Sequence, residues 1–432
     1  MDISPVRLTG RQQDFAAQAR EFFATHVTTE VLEHERRTGD GFNEGVHLAL
    51  GKQGWIMPGW PAERGGAGLD PVQVRILELE ASRSRMPFVT LGTTRMVTRA
   101  VERHASDEVR PGLLRGVAAG TVRFCLGYSE PDGGSDIAAA KVRAVRDGGE
   151  WVINGAKIFT TGAHNCQYTF LITRTDPDRP KHEGLTMFLV PLTARGVQIQ
   201  PIRTFGGERT NVVYFGDVRV PDACRLGGVN NGWSVLRGPL DSEHGLGGDA
   251  DARRLADVSM SKGYLYELGR ALDVAVEWAV TPRADGTRPA DDPYVRYRLG
   301  QIEIDIQAAL CTPGPMGRVK ASDALVHGAA ALMDLLGPDA VICEGTDGAA
   351  GGGRIEFAHR FAQGTATYGG TVEVFRGIIA QHVLGLPRPS YPGSKVLVGS
   401  GQREQQPGAV GGEEWAGGPG AVGGEEKRSK RP

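Results

Sequence analysis

The spacing of apolar residues changes twice along the chain, and this change constrains the fold more than any other feature of the sequence. Up to about residue 120, apolar residues such as Phe15, Ala19 and Phe22 recur at helical intervals. Short apolar runs bounded by Gly, Pro, Asn and Asp then follow, which are typical of strands. Helical spacing returns after Gly232. The pattern predicts an α+β multidomain chain.

Domain boundaries follow from these changes. We expect an N-terminal all-α domain at residues 1–120, a small antiparallel β domain at 121–228 and a C-terminal α-helical bundle at 229–388. Residues 389–432 are rich in Gly, Pro and charge, and PGAVGGEE occurs there twice. Such a segment buries too little apolar surface to offset its ordering entropy, so we predict a disordered tail.

Capping signals predict where individual helices begin. Thr9 and Gln12 have capping-box spacing, Asp70 precedes a proline suited to the first helical position, and Ser106 precedes two acidic residues. The C-terminal helices are predicted at 251–280, 292–311, 318–336 and 354–383, with an interruption at 368–371 in the last.

Composition argues against several classes of protein. Hydrophobic residues make up 40%, charged residues 23%, and the formal net charge is −2, so no basic surface for nucleic acid is predicted. The five cysteines lack metal-ligand or CxxC spacing, which favours reduced thiols and no metal site. No apolar run of membrane-spanning length and no signal peptide is evident, so we expect a cytoplasmic protein without membrane insertion.

The segment LGYSEPDGGSD, at residues 126–136, is the first that suggests chemistry. It combines backbone N–H groups with two serine hydroxyls at the entrance to the β domain, which suits a pyrophosphate or the edge of an isoalloxazine ring. An ordinary turn has the same composition, so this segment alone does not decide between the two. A strand with an Asn-Gly turn and paired threonines, WVINGAKIFTTGA, follows at residues 151–163.

At this point the sequence resembles the acyl-CoA dehydrogenase family. FGGERTNVVYFGDVRVP at 205–221 and TYGGTVEVFRGIIAQHVLGLPR at 367–388 continue the likeness in the family's order, so that it covers nearly all of residues 5–388. Each motif alone is weak, but their shared order and spacing make the match specific.

The resemblance implies a fold and a reaction. Family members have an N-terminal α domain, a middle β domain and a C-terminal helical bundle, and usually assemble as homotetramers with FAD at subunit interfaces. They α,β-dehydrogenate an acyl-CoA thioester and pass electrons to an electron-transfer flavoprotein. A carboxylate removes the α-proton while the β-hydride leaves to flavin N5. We therefore expect FAD, an acyl-CoA substrate, this flavoprotein partner and a homo- or hetero-oligomer, either dimer or tetramer.

The resemblance also assigns cofactor contacts. Ser129 matches the hydroxyl at the flavin pyrimidine edge, Ser135 the hydroxyl near the pyrophosphate, and Thr161 the threonine beside N5. Phe159 stands where most members carry a tryptophan against the ring system. The predicted cofactor residues are Tyr128, Ser129, Gly134, Ser135, Phe159, Thr160, Thr161, Thr371 and Glu373, with the last two at the adenosine half.

The catalytic base departs from the commonest family pattern. Most members place a glutamate directly after the bundle tyrosine, where this chain has Gly369. Members resembling isovaleryl- and long-chain acyl-CoA dehydrogenases carry the base on an earlier helix. GWSVLRGPLDSE, which starts at Gly232, aligns with that segment and makes Glu243 the predicted base. A solvated helix residue is the alternative, because His244 replaces the usual arginine and glycines follow.

Three functions remain open at this stage. The leading one is dehydrogenation of a branched, cyclic or bulky acyl group, because Gly369 leaves room beside the thioester. A flavin-dependent oxidase or monooxygenase is the second, since a fold does not fix a reaction. A non-catalytic subunit of a hetero-oligomer is the third, because the segment after Glu243 is a poor helix and the family's Arg-x-Gln-Phe-Gly segment is absent.

Overall fold

A computed structural model of the chain describes residues 7–243 and 260–387, without the side chains of 241–243, 260 and 261. The predicted tail at 389–432 and the residues directly after Glu243 lie outside the described residues. The described residues up to Leu386 belong to one compact unit.

From residue 7 on, six α-helices precede the sheet, and two of the three predicted helix starts are confirmed. Thr9 with Gln12 and Asp70 with Gln73 each form a complete capping box. The start predicted at Ser106 is wrong, because residues 107–109 form a turn and the Ser106 hydroxyl donates to Ala223 O at 3.2 Å. The helices are α1 (Gly10–His26), α2 (Thr29–Thr38), α3 (Glu44–Lys52), α4 (Pro71–Arg83), α5 (Val89–His104) and α6 (Arg110–Ala118).

The middle of the chain forms one eight-stranded sheet in the order β6-β7-β3-β2-β4-β5-β8, with β1 paired to β4. Most neighbours are antiparallel, as predicted, but β1 and β2 each pair with β4 in parallel. The strands are β1 (Phe124–Gly127), β2 (Arg143–Asp147), β3 (Glu150–Lys157), β4 (Tyr168–Arg174), β5 (Leu185–Pro191), β6 (Val197–Arg203), β7 (Arg209–Pro221) and β8 (Arg225–Leu226).

Strands β4 and β5 are buried on both faces, which explains their nearly continuous apolar runs. Phe170 and Met187 pack into the core shared with the N-terminal helices. Leu171 and Phe188, one residue further along each strand, pack into a second core within the middle domain. The sheet therefore joins the N-terminal helices to the middle domain through a common apolar layer.

The Asn-Gly pair in β3 does not form a turn. Asn154 and Gly155 lie within the strand, where the pairing with β7 shifts register between Ile153 and Gly155. Gly155 has φ 136°, and a Cβ there would lie 2.8 Å from Val142 Cγ2. The glycine thus supports a β-bulge rather than a chain reversal, and β3 continues to Lys157.

The C-terminal helices form a bundle around α10, which packs against α8, α9, α11 and α12. The predicted interruption is confirmed, because residues 366–371 separate α11 from α12. The helices after the sheet are α7 (Gly232–Glu243), α8 (Met260–Val280), α9 (Pro293–Leu310), α10 (Gly314–Leu336), α11 (Arg354–Thr365) and α12 (Val372–Ile378), the last continued by a π-helical turn at Ile379–Val383.

Helix α7 packs on the sheet and on α5 rather than inside the bundle. Val235 and Leu236 are buried in the core of the N-terminal helices. At its start, a Cβ on Gly232 would lie 2.8 Å from the Cα of Thr186, so only glycine allows this approach to β5. The helix that ends at Glu243 is therefore anchored to the middle domain.

Among the described residues, one helical stretch, Gly314–Val341, is long and apolar enough to cross a membrane by length and composition alone. Its most apolar window has a mean hydropathy of 1.2, and 44% of that window is buried. The stretch contains α10, whose buried residues contact the other bundle helices. A role as the central bundle helix accounts for its apolar character. The cytoplasmic location stays a prediction.

Candidate active site

The two glycine- and hydroxyl-rich motifs of the middle domain lie side by side. Ile158 N donates to Ser129 O at 2.9 Å, which joins the loop after β1 to the end of β3. Ser129 is half-buried, whereas Gly134 and Ser135 are exposed. A Cβ on Gly134 would lie 3.1 Å from Ser129 Oγ, so glycine keeps the space beside this hydroxyl open. The structure thus brings together the residues predicted for the flavin pyrimidine edge and pyrophosphate.

A buried ion pair fixes the first motif on β3. Lys157 is fully buried, and its Nζ donates to Glu130 Oε1 at 2.8 Å and to Tyr128 O at 3.1 Å. The Glu130 carboxylate also accepts from the backbone N–H groups of Lys141 and Val142. Burial lowers the pKa of Lys157 to about 8, and the Glu130 charge opposes this shift. The pair holds the backbone that carries Tyr128 and Ser129.

Phe159 has a conformation and an exposure unusual for its residue type. Its φ is 57°, in the left-handed region that a side chain with a Cβ rarely adopts. The ring is nevertheless 61% exposed, so burial of the side chain does not offset this strain. An outlier of this kind at a motif is typical of a functional surface.

The two threonines after Phe159 point into different surroundings. Thr160 is fully buried, and its backbone N donates to Asn211 O at 3.0 Å while its carbonyl accepts from Asn211 Nδ2 at 2.9 Å. Its hydroxyl has no hydrogen-bond partner among the described residues. Thr161 Oγ1 lies 3.0 Å from Thr210 Oγ1. The segment after β3 therefore carries one enclosed hydroxyl, on Thr160, and one half-buried hydroxyl, on Thr161.

A polar network ties this strand end to the N-terminal domain. His164 Nε2 lies 3.1 Å from Asp40 Oδ1, and its Nδ1 lies 3.3 Å from Asn211 Nδ2. Arg209 Nη1 is 3.6 Å from the same Asp40 oxygen. Burial, followed by the charge of Arg209, lowers the pKa of His164, while Asp40 opposes the shift. Asp40 thus holds the loop after α2 against the strands that carry the threonines.

The bundle residues predicted to contact the adenosine half lie on α12. Thr371 caps this helix, because its hydroxyl accepts from Val374 N at 3.2 Å. Glu373 lies in the first turn, with Oε1 4.0 Å from Arg376 Nη1. Within residues 7–243 and 260–387, no hydrogen bond or ion pair connects Thr371 or Glu373 to the motifs of the middle domain. The structure does not bring these two sets together by direct contact.

Gly369 and Gly370 precede this cap with φ values of 67° and 90°. Both lie in the left-handed region, which glycine adopts without a steric cost. A glutamate at position 369 would be strained in this turn, which is a second argument against a catalytic base at this position. Glu243, the predicted base, is the last residue of α7, and the position of its side chain lies outside the described residues.

Sequence reasoning missed the polar residues that hold the motifs in place. Lys157 stands inside the 151–163 motif and His164 directly follows it, while Asn211 stands inside the 205–221 motif. Lys157 could have been found, because a lysine in an apolar strand pattern needs a buried acceptor. Asp40 and His164 are 124 positions apart in sequence, so no local pattern reveals their contact.

Comparison with known proteins assigns all three structural regions to one family. The family models described as the acyl-CoA dehydrogenase N-terminal domain, middle domain and C-terminal domain match residues 9–121, 125–218 and 258–384 in turn. The chain belongs to the acyl-CoA dehydrogenase family. The family and the fold class predicted from the motifs are confirmed, and the enzyme is an oxidoreductase that acts on acyl-CoA.

Relatives of this acyl-CoA dehydrogenase match it over nearly their full length. Acyl-CoA dehydrogenase FadE26 of Mycobacterium tuberculosis is 33% identical over 416 residues, covering 89% of this chain and 99% of the relative. Among solved structures, the ChsE4-ChsE5 complex from Mycobacterium tuberculosis is 32% identical, with a TM-score of 0.75 over 90% of this chain and 100% of that one. A protein described as the Tcur3481-Tcur3483 steroid ACAD is 29% identical, with a TM-score of 0.75 over 89% of this chain and 100% of that one.

Proposed function

We propose that this acyl-CoA dehydrogenase uses FAD to α,β-dehydrogenate a thioester with a branched, cyclic or otherwise bulky acyl group. The observation that carries the proposal lies just after β3, where an exposed Phe159 in a left-handed conformation stands two positions before the half-buried Thr161 hydroxyl. An exposed aromatic face beside a half-buried hydroxyl suits a flat, heteroatom-rich ring.

The residues present fit FAD, the cofactor of the family. Ser129 and Thr161 offer hydroxyls and Phe159 an aromatic face for the isoalloxazine ring, while Ser135 offers a hydroxyl for the pyrophosphate. We propose the adenosine half for Thr371, the N-cap of α12, and Glu373, in its first turn. The predicted set is completed by Tyr128, Gly134 and Thr160. When bound, FAD supplies the acceptor for the β-hydride.

This chain's own groups then have separate tasks. Glu243 takes the α-proton of the thioester, as a carboxylate at the end of a helix anchored on β5 and α5. Gly369 lies beside the thioester and, without a side chain, leaves room for the acyl group. Lys157 on β3 and Glu130 in the loop after β1 fix the motif backbone so that the cofactor-facing hydroxyls keep their positions.

Two observations support a bulky acyl group. The turn between α11 and α12 carries no side chain at positions 369 and 370. A relative of 29% identity is described as a steroid ACAD, so a steroid-linked acyl-CoA is the first cyclic thioester to test. Straight-chain thioesters of equal carbon number are the matched comparison.

The deciding experiment is an anaerobic titration of the flavin-loaded protein with straight, branched and cyclic acyl-CoA thioesters, followed by the visible absorbance of the flavin. We expect bleaching by cyclic or branched thioesters and at least tenfold less by straight ones, since one missing contact in a binding pocket costs about 1–3 kcal/mol. Bleaching by none of them would contradict the proposal. Fast reoxidation of dithionite-reduced flavin by air would then favour an oxidase or monooxygenase.

We also propose that the enzyme works as an oligomer and passes electrons to an electron-transfer flavoprotein. Helix α9 presents Tyr294, Tyr297 and Ile304 on one exposed face, the last two 65% and 63% exposed. The matching relative of 32% identity is described as part of a ChsE4-ChsE5 complex, so a different second chain is a candidate partner beside a second copy. Native mass spectrometry should show an oligomer that Ile304→Asp weakens and the control Glu303→Gln does not. An unchanged oligomer in Ile304→Asp would rule out this face.

A further inference from the structure

The loop between β6 and β7 is the part of the 205–221 motif that the proposed cofactor site leaves unused. We call residues 204–208 the 204–208 loop. It is closed on itself, because Thr204 N donates to Glu208 O at 3.0 Å and Gly207 N donates to Thr204 O at 3.1 Å. These bonds make it a rigid element on which other domains can rest.

Both helical domains contact this loop. Arg209 N, directly after it, donates to Gly39 O at 2.8 Å, and a Cβ on Gly39 would lie 2.1 Å from Gly207 O. From the bundle, Arg360 Nη1 donates to Phe205 O at 3.1 Å. The 204–208 loop is therefore the place where the end of α2, the sheet and helix α11 meet.

Glu208 lies half-buried at this junction. Its Oε1 accepts a hydrogen bond from the Tyr368 hydroxyl at 3.3 Å. Among the described residues no lysine, arginine or histidine forms an ion pair with it. Burial raises the pKa of Glu208 to about 7, the negative charge of Glu35 adds to the shift, and the Tyr368 hydrogen bond opposes it.

Tyr368 is fixed at two points immediately before the glycine turn. Its hydroxyl donates to Glu208, and its carbonyl accepts from Arg318 Nη2 at 2.9 Å. Burial raises the pKa of Tyr368 far above its ordinary value, so the hydroxyl keeps its proton and remains the donor. Gly369 and Gly370 follow directly, so a displacement of Tyr368 displaces the turn.

We propose that Glu208 is a positioning residue, which holds the turn 368–371 through the Tyr368 hydroxyl and tightens acyl-CoA binding when it loses its proton. The inference rests on the proposed function, in which Gly369 lies beside the thioester. An ionised carboxylate accepts a stronger, charge-assisted hydrogen bond than a protonated one. Ionisation of Glu208 therefore orders the turn.

The charged groups around Glu208 allow a test that leaves the Glu208–Tyr368 hydrogen bond intact. Glu35 faces it from α2, Arg360 approaches the loop from α11, and Asp40 and His34 act on Glu35 in turn. The pKa of Glu35 is itself raised, first by burial, although its carboxylate accepts from Gly41 N. Removing its charge with Glu35→Gln should move the ionisation of Glu208 to lower pH.

The first measurement is hydrogen exchange of the turn, by mass spectrometry of the flavin-loaded full chain between pH 5.5 and 8.5 as chosen conditions, corrected for intrinsic exchange. In the wild type, protection of peptides covering 366–375 should rise about threefold or more across this range, as one hydrogen bond strengthens. Glu208→Gln and Tyr368→Phe should each abolish the rise, and the double variant should add nothing. Glu35→Gln should keep the rise but shift its midpoint down.

Glu150→Gln, which removes a carboxylate on the surface of the same domain, is the control and should behave as the wild type. A rise that persists in Glu208→Gln, or a midpoint unmoved by Glu35→Gln, would overturn the inference. With a thioester that bleaches the flavin, Glu208→Gln should raise its Kd about threefold to tenfold at pH 8 and change the flavin reduction rate less than twofold. If no thioester bleaches the flavin, the proposed function fails, and the exchange experiment still decides the inference.

Discussion

The sheet-borne side and the helix-borne side of the candidate site are held by different means. On the sheet side, Phe159 and Thr160 directly follow β3, and the nearby Lys157 and Asn211 are fully buried and hydrogen-bonded. On the helices, the corresponding positions are the glycine turn at 369–370 and the end of α7. The first side is preorganised by buried polar contacts, whereas the second depends on helix ends.

This difference suggests a division of labour. A cofactor that stays bound through many turnovers benefits from fixed hydroxyls, which cost no reorganisation when charge develops. A substrate that must enter and leave needs a side that moves, and helix ends and glycine turns provide the low-stability segments for such motion. Variants on the sheet side should therefore change flavin binding, whereas variants on the helix side should change the reaction with the substrate.

The largest effect is expected on the helix side. Glu243→Gln should lower the rate of flavin reduction by about 10² to 10⁴-fold, the usual contribution of a positioned general base. Flavin content and thioester binding should stay unchanged, because the amide keeps the shape of the side chain. Stopped-flow reduction under anaerobic conditions gives the rate, and absorbance spectra give the flavin content.

Asp241→Asn removes a carboxylate two positions earlier in α7 and is the matched control for this test. Its reduction rate should equal that of the wild type. If the rate of Glu243→Gln stayed within threefold of the wild-type rate, the base would have to come from another residue, and the helix side of the comparison would need a new candidate.

How much of this site could be predicted from the sequence follows the same division. The motifs 126–136 and 151–163 are local, so residue order alone indicated that their hydroxyls and glycines cluster, and the Ser129–Ile158 contact agrees. The long helices and strands were predicted because their apolar spacing extends over many residues. The Ser106 start failed because a contact with Ala223 in the middle domain competes with the local capping signal.

Residues that act through distant contacts could not be predicted. Glu208 and Tyr368 are 160 positions apart, and each also reads as an ordinary loop or helix-end residue. The turn predicted at the Asn-Gly pair in β3 was wrong, because the same dipeptide occurs both in hairpin turns and at β-bulges. Only the pairing with the partner strand distinguishes the two. Tertiary pairing, which local pattern does not contain, decided each of these cases.

The second largest effect is expected on the sheet side, from loss of its buried cation. Lys157→Met should lower the free energy of unfolding by about 3 kcal/mol, because it leaves the Glu130 carboxylate without its cation, although two backbone donors remain. Flavin content should fall with it. Urea unfolding at pH 7 measures the change. Lys141→Met, which breaks only an exposed pair with Asp132, is the control, and an equal loss in both variants would contradict the special role of Lys157.

A smaller effect is expected where the two sides meet, at Glu208. Its folded pKa of about 7 lies above the ordinary value of 4.5, so the wild type should lose stability as pH rises between these values. The loss should amount to about 1–3 kcal/mol, because the cost of burying the charge exceeds the gain from the Tyr368 bond. Glu208→Gln should lack this loss. A difference between the two proteins that stays constant from pH 4.5 to 7 would show that Glu208 does not titrate in this range.

The smallest effect separates strain from binding at Phe159. Phe159→Gly removes the cost of a left-handed backbone at a residue with a Cβ, about 1–2 kcal/mol, and replaces part of it with glycine entropy, so the flavin-free protein should gain about 0.5–1 kcal/mol. Flavin affinity should fall about tenfold, because an aromatic contact contributes about 0.5–1.5 kcal/mol beyond its buried area.

Phe159→Trp should retain flavin, and Phe205→Ala, at another exposed phenylalanine, should leave the flavin affinity unchanged. Calorimetry would measure the stability of the flavin-free protein, and flavin titration would measure the affinity. If Phe159→Gly lost both stability and flavin affinity, Phe159 would serve the fold. A gain in stability with a loss of flavin affinity would show that the strained backbone at Phe159 is kept for cofactor binding.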